Sequence, residues 1–310
     1  MIRKHIHISF LPAHQHPGPL MGYLASRYDY LTEEGWRNEI AQGRVSVNDR
    51  IEDSPDFVLR GKDKLAWDSG HIAEPAVDDR VTILYQEAQF AVVDKPGNLP
   101  VHPAGRYFDH TLTRILENRL NRSVYAVQRL DRETSGTMLV AFDGKTAALL
   151  SSSLAGATKE YLALVHGAFP QGEMLVDWPL GADASSAVRK KRRAWPGGTE
   201  KALTRFERVS SNGAFSLVRC FPQTGRLHQI RAHLLAAGFP VVGDKLYGRD
   251  ERLFLRFIET GWTPELAEKL LLPRQALHAR RLSFFHPQTG REIHCEAPVP
   301  ECFADLLPRR

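Results

Sequence analysis

Residues 129–136 read Arg-Leu-Asp-Arg-Glu-Thr-Ser-Gly, which sets the carboxylate of Asp131 between the guanidinium groups of Arg129 and Arg132. A free aspartate titrates near ~3.9, and neighbouring positive charge lowers that further, so Asp131 is expected to be ionised at neutral pH. The apolar run 138–142, Met-Leu-Val-Ala-Phe, follows directly and predicts a buried strand. Asp131 would then sit on a loop feeding a sheet, where a rigid scaffold can present a nucleophile. Taken alone, such a run is more often a surface ion pair of small energetic weight.

Other segments carry residues of comparable chemical potential. Residues 159–167 read Lys-Glu-Tyr-Leu-Ala-Leu-Val-His-Gly, and strand alternation puts Lys159, Tyr161, Ala163 and Val165 on one face. A tyrosine so placed can stack on a planar base and offer its hydroxyl to a proton transfer, or it can be an ordinary core tyrosine. Residues 224–233 read Thr-Gly-Arg-Leu-His-Gln-Ile-Arg-Ala-His. Apolar residues at 227, 230 and 234, with Gly238 beyond, predict a helix over 226–237 that Arg226 opens and Thr224 caps, with Arg226, Gln229 and His233 on other faces. The run Arg189, Lys190, Lys191, Arg192, Arg193 resists packing unless water or a polyanion meets it, and Trp195 beside it could stack on a base or pack over the core. Lys95 and His102 flank a Pro-Gly turn, as structural residues or as anion contacts, and Asp244 after Gly243 reads as a turn-capping carboxylate.

Arg-Leu-Asp-x-x-Thr-Ser-Gly resembles the catalytic loop of the RluA-type pseudouridine synthases, which isomerise uridine in RNA. Residues 93–103, 159–167, 224–233, 240–248 and 277–279 are similar to the family's other motifs and occur in its order. The resemblance spans roughly residues 80 to 300. It implies an isomerase that breaks the N1–C1′ bond, rotates the base and rejoins it through C5. That chemistry is redox-neutral and needs no metal or cofactor, only a nucleophile, a dry pocket and a clamp on the detached base. The resemblance assigns Asp131 as nucleophile, Tyr161 as the stacking and proton-transfer residue, and Arg226 as the cation paired with Asp131. Arg129 would fill the space left by a flipped uridine, since a stacked base is out of reach. Gln128 stands where the family more often has His, so a titratable contact is missing there. Lys95, His102, Gln128, Lys159, Gln229, Arg231 and the 189–193 cations are expected to meet RNA.

The 310 residues are too many for one small core. A hydrophobic fraction of 43% with 25% charged residues is ordinary for a globular protein, and a net charge of +5 with pI ≈ 9.1 favours an anionic partner. Cys220, Cys295 and Cys302 support neither a disulfide framework nor a zinc site, and no metal is expected. The first nineteen residues lack a secretory apolar core, and no apolar run is long enough to span a bilayer. The expectation is a cytoplasmic monomer with RNA as partner and no membrane association.

The fold class expected is α+β. A small N-terminal unit over 18–72, with helices around Leu20, Leu24, Trp36 and Ile40 and strands near 43–50 and 61–65, is similar to the S4-type RNA-binding fold. Glu33 and Glu34 depart from the basic helices usual there. Residues 73–80 read as a linker, and 81–310 as a catalytic domain with a predominantly antiparallel mixed sheet. Helices are expected at 111–121, 145–155, 226–237 and 263–272, the last capped by Thr263, with a hairpin at 282–286 and 292–295. The interval 168–200 reads as a long loop region. Two competing functions are a non-catalytic RNA-binding protein and an Asp-dependent glycoside or nucleoside hydrolase. The hydrolase would want a second catalytic carboxylate, for which Glu133 is the nearest.

Overall fold

The computed structural model describes residues 6–28, 31–303 and 306 and divides the chain into two compact units. One takes Met1–Ala76 with His102–Thr111, the other Val77–Val101 with Leu112–Arg310.

In the first unit, helices Leu20–Arg27 and Glu33–Ala41 share a core with a four-stranded antiparallel sheet ordered Ile6–Phe10, Lys64–Asp68, Val45–Val47, Arg50–Ile51. Leu20, Leu24, Trp36, Ile40 and Val45, the apolar positions that set the helical and strand pattern, are all buried. Thr32 caps the second helix by accepting from Gly35 N at 3.1 Å. Asn48 and Asp49 both take positive φ, which matches the right-handed twist of a two-residue hairpin. Two features differ from the sequence reading. Strand Ile6–Phe10 precedes residue 18 and pairs along its whole length with Lys64–Asp68. Segment 102–111, expected in the catalytic domain, belongs here because Phe108 is buried against Trp67 (centroids 6.3 Å apart). Glu74, from the expected linker, accepts from the amides of Phe108, Asp109 and His110 at 2.7–2.8 Å, so that stretch is an anchor and not a free tether.

The second unit is built on a ten-stranded sheet. Its main path runs Glu173–Val176, Thr204–Ser211, Phe215–Pro222, Thr158–His166, Leu277–Phe285, Ser135–Ala141, Phe90–Lys95, Thr82–Gln86. Neighbours on that path are antiparallel except Ser135–Ala141 against Leu277–Phe285, which is parallel. The α+β class with a mostly antiparallel mixed sheet is therefore correct. Every residue of Ser135–Ala141 is buried, as a strand covered on both faces must be. Met138 and Val140 pack with helix Leu112–Leu120 through Leu112 and Leu116. Leu139 and Ala141 pack with helix Gly144–Ser153 through Leu150.

The parallel seam is what sets the Asp131 loop beside the strand that starts at Leu277. Gly136 sits there at φ +112, and a Cβ would lie 2.1 Å from Ala279 O. Only glycine allows that approach. Thr137 Oγ1 then donates to Ala279 O at 3.1 Å, and Ser135 Oγ meets His278 Nδ1 at 2.9 Å.

Three elements depart from expectation. The 168–200 interval contains strands Glu173–Val176, Leu180–Ala182 and Arg192–Ala194, the last two forming a hairpin. Its alternation is too short to read against a Gly- and Arg-rich composition. Helix Arg252–Thr260 was not anticipated. The 226–237 helix begins only at Gln229, because His228 takes a left-handed φ of 57.

Candidate active site

Asp131 lies on the loop leading into Ser135–Ala141, and its neighbours on that loop are pinned from several sides. Lys95, fully buried, donates from Nζ to Pro96 O, Leu99 O and Arg132 O at 2.8, 2.9 and 3.1 Å. Leu99 N also donates to Arg132 O at 3.0 Å. Glu133 accepts from Lys245 Nζ at 2.8 Å and from Gln275 N at 3.2 Å, and Lys245 in turn donates to Pro273 O. The two residues that follow Asp131 are thus held, Arg132 by its carbonyl and Glu133 by its carboxylate.

The carboxylate is gripped by Arg231. Arg231 Nη1 donates to Asp131 Oδ2 at 2.6 Å, while Nε and Nη2 reach the two oxygens of Asp244 at 2.6 and 2.8 Å. Asp244 is fully buried and also accepts from Leu246 N and Tyr247 N, so it fixes the fork of Arg231 in one orientation. The Tyr247 ring lies 4.6 Å from the guanidinium carbon and covers it. Gln275 Nε2 donates to Thr134 Oγ1 at 2.7 Å and reaches Asp131 Oδ2 at 3.4 Å.

Burial alone would raise the Asp131 pKa, but the Arg231 charge and the hydrogen bonds from Arg231 and Gln275 outweigh it and hold the carboxyl below its usual range. Burial, opposed by the Asp131 charge, pulls His228 down to about 4. His228 is therefore neutral at pH 7 although its Nε2 lies 3.8 Å from Asp131 Oδ1. Tyr247 Oη accepts from Arg192 N at 2.7 Å and lies 2.9 Å from His228 Nδ1. In the tautomer where the hydroxyl donates to Nδ1, the His228 proton lies on Nε2, facing Asp131.

Tyr161 pairs with Cys220 on one side and Ala279 on the other, in the middle of the sheet. Burial and the Asp131 charge raise its pKa well above the ordinary tyrosine value, so the phenol stays protonated and can donate. Its hydroxyl makes no hydrogen bond to any described residue. The cleft between these groups is lined by Asp131, Thr134, Tyr161, His228 and Arg231, with Arg129 and Arg226 among its other lining residues, and encloses about 120 Å³. That is well under the ~300 Å³ at which drug-sized sites begin and suits one planar base.

Several expectations need correction. Arg226 does not pair with Asp131: it is exposed, and its Nε donates to Lys201 O at 3.1 Å. Arg231 holds that place, because the helix starts later than the apolar stripe suggested. Thr224 does not cap the helix; its hydroxyl donates to Gln229 Oε1 at 2.7 Å, closing the loop before it. Gln229 is buried, accepts from Arg226 N and donates to Leu203 O and Thr204 Oγ1, so it is structural and not open to RNA. Lys95 is likewise withdrawn from any nucleic acid by its three carbonyls.

Gln128 donates to Thr137 O at 3.1 Å. Lys159 is half-buried on the strand of Tyr161 but does not line the cleft. His102 falls in the other unit. The basic run divides: Lys191 pairs with Glu251 at 2.6 Å and Asp183 at 3.6 Å, and Arg192 sits 3.6 Å from Glu200. Arg189, Lys190 and Arg193 are exposed. Trp195 packs its ring on Gly181 and Gly197, where a Cβ would come within 2.5 and 2.6 Å of it.

Sequence reasoning assigned Arg231 to RNA, read Asp244 only as a turn cap, and gave no role to His228, Gln275 or Tyr247. One signal was present. Arg231 stands between Ile230 and Ala232 in a helix with a buried stripe, and a buried guanidinium demands carboxylates.

A family model described as RNA pseudouridylate synthase matches residues 89–236. The chain is 36% identical over 236 residues to the tRNA pseudouridine(32) synthase, mitochondrial, of Saccharomyces cerevisiae, covering 75% of this chain and 51% of that protein. It thus spans about half the length of that relative. It is 34% identical over 248 residues to the ribosomal large subunit pseudouridine synthase D of Nitrosomonas europaea, covering 77% of this chain and 67% of that one. Among solved structures, human RNA Pseudouridylate Synthase Domain Containing 1 superposes with a TM-score of 0.57 at 24% identity, covering 73% of this chain and 86% of that chain, a likeness of fold. With its ordered motifs and these matches, the chain belongs to the RluA-type RNA pseudouridine synthases.

Proposed function

We propose that this protein isomerises uridine to pseudouridine in ribosomal or transfer RNA, with Asp131 as nucleophile. The observation that carries the reading is the Asp131 carboxylate, kept ionised by Arg231 at 2.6 Å and set with Tyr161 in a cleft the size of one base. An ionised, desolvated carboxylate can attack C1′ or the base, or stabilise a glycal-forming route. In each case the N1–C1′ bond breaks, C5 bonds to C1′, the C5 proton leaves and N1 gains a proton. Arg231 orients Asp131 through a charge-assisted bond worth about 1.5–3 kcal/mol. The Tyr161 ring stacks on the base and its protonated hydroxyl donates to the sugar or the departing base. Glu133 is tied to Lys245 and both Asp244 oxygens are tied to Arg231, so among the described residues this cleft offers a hydrolase no second free carboxylate.

Arg129, exposed at the cleft, is assigned to hold the space of the flipped uridine. Arg129→Ala is expected to lose more rate on structured RNA than on an unstructured oligonucleotide; equal losses would refute this role. The N-terminal unit is read as an S4-type RNA grip, with exposed Arg189, Lys190 and Arg193 adding phosphate contacts. The working protein is read as a monomer in a reducing cytoplasm, where its three free cysteines stay as thiols.

The test is tritium release from RNA labelled at uracil C5, prepared from cells lacking this protein, comparing wild type with Asp131→Asn. Release by wild type alone establishes isomerase and nucleophile together. No release from either RNA class, with RNA binding intact, turns the reading to a non-catalytic binding protein, and free uracil in solution turns it to hydrolysis.

A further inference from the structure

A second cleft, of about 340 Å³, shares Asp131, His228 and Arg231 with the first. Helix Arg252–Thr260 contributes Phe254, Phe257 and Ile258 to it, at the i, i+3 and i+4 spacing of one helix face. Both rings are anchored. Phe254 packs on the cluster of Leu246 and Tyr247, and Phe257 packs on Leu253, Leu266 and Leu270. Ile258 completes no core and is 64% exposed. Lys190, exposed, stands among the same lining, where Arg132 is paired with Glu133 at 3.2 Å. Lys245 cannot add to this charge, since Glu133 and Pro273 O hold it.

Anchored, half-buried aromatic surface edged by an exposed lysine is a composition that grips single-stranded nucleic acid. Rings stack on bases of any identity, and lysines follow the phosphates. An open apolar patch beside a catalytic carboxylate also marks a place that a ligand covers. The two clefts share the Asp131–Arg231–His228 wall, so the second lies within reach of a nucleotide next to one whose base enters the first.

We propose that the second cleft is a subsite for the base of a nucleotide adjacent to the target uridine, stacked against Phe254 with Lys190 on its phosphate, while Phe257, its ring already met by Lys245 Nζ at 4.7 Å, walls the cleft. The inference rests on the isomerase reading above. It adds a contact that selects single-stranded or opened RNA around the target, with little regard to the identity of the neighbouring base.

The experiment first maps the modified uridine in unmodified ribosomal and transfer RNA. It then measures kcat/KM on transcripts with an abasic nucleotide immediately 5′ or 3′ of that uridine. Wild type should lose about ten-fold on one of the two, the low end for removing one base–aromatic stack. Phe254→Ala should lose a similar factor on intact RNA and then be indifferent to the abasic nucleotide, a non-additivity that mere misfolding would not produce. Should Phe254→Ala fail to fold, Ile258→Glu, changed at an exposed position, carries the same comparison. If the enzyme forms pseudouridine but both abasic transcripts react as well as intact RNA, the subsite is wrong and the isomerase reading stands. Abasic indifference together with a dimer that Ile258→Glu dissolves would give the cleft to a second copy of the chain. Absence of pseudouridine from every RNA overturns both readings.

Discussion

Arg226 and Arg231 stand in one short motif, and their different surroundings decide different fates. Arg231→Lys keeps the charge but loses the planar fork that spans Asp131 and Asp244. On the role proposed for Asp131, misplacing it costs on the order of 10²-fold, so this variant should lose about that much kcat, while Arg226→Ala should stay within about ten-fold of wild type. Parallel steady-state assays decide it, and the reverse order would return the pairing role to Arg226. Arg231→Ala should instead show first in stability, by about 3–5 kcal/mol, because it strands the buried Asp244 charge. The pH profile belongs to this scale too. With Asp131 below its usual range and His228 near 4, both groups keep one state from pH 6 to 8. The kcat profile should be flat on its acid side down to about pH 5, and His228→Gln should not move that limb; a limb near pH 6–7 would contradict the assignment. The same lowering makes the Asp131 and Asp244 contribution to stability complete above the unfolded value near ~3.9 and lost as pH falls through their lower folded values.

At the scale of elements, the site depends on the parallel seam more than on any helix. Gly136→Ala would drive a methyl into Ala279 O and strain a φ of +112. Backbone strain and overpacking together cost about 2–6 kcal/mol. Gly144→Ala is the control: it opens a helix, with nothing within 4 Å of its would-be Cβ. Denaturation midpoints should fall sharply for the first and hold or rise slightly for the second. The fully apolar run of this strand made it legible in advance, as did the Thr263 cap, which accepts from Leu266 N at 3.3 Å. Helix Arg252–Thr260 went unread although Asp250 Oδ1 accepts from Arg252 N at 3.0 Å and Gly261 follows its last turn; part of its apolar face stays exposed. The late start of the Gln229–Ala236 helix was hidden because a non-glycine left-handed residue, His228, leaves no compositional mark.

At the scale of the molecule, the division into units crosses the chain order. Segment His102–Thr111 leaves the catalytic part of the sequence and completes the N-terminal unit, with Phe108 in its core and Glu74 bonded to its amides. A variant that begins at residue 77 should therefore expose Phe108 and leave those amides unpaired by Glu74. It is expected to aggregate more readily than a variant that also replaces 102–111 with a short Gly-Ser loop. Light scattering on heating separates the two, and equal behaviour would show that the segment folds independently of residues 1–76.

The sequence by itself determined the family, the α+β class, and the loop and strand that carry Asp131 and Tyr161. These rest on local patterns: an apolar run, an alternation, and a string of motifs whose order survives without coordinates. Which cation grips Asp131, which lysines are sealed from RNA, and which side chains wall the clefts came only with the tertiary structure. Arg226 and Arg231 are the same residue type in the same motif, and Lys95 and Lys190 are both lysines beside a turn. What separates the members of each pair is desolvation and the hydrogen-bond partners supplied by residues distant in the chain. Asp244 and Asp131 face Arg231, and the carbonyls of Leu99 and Arg132 face Lys95.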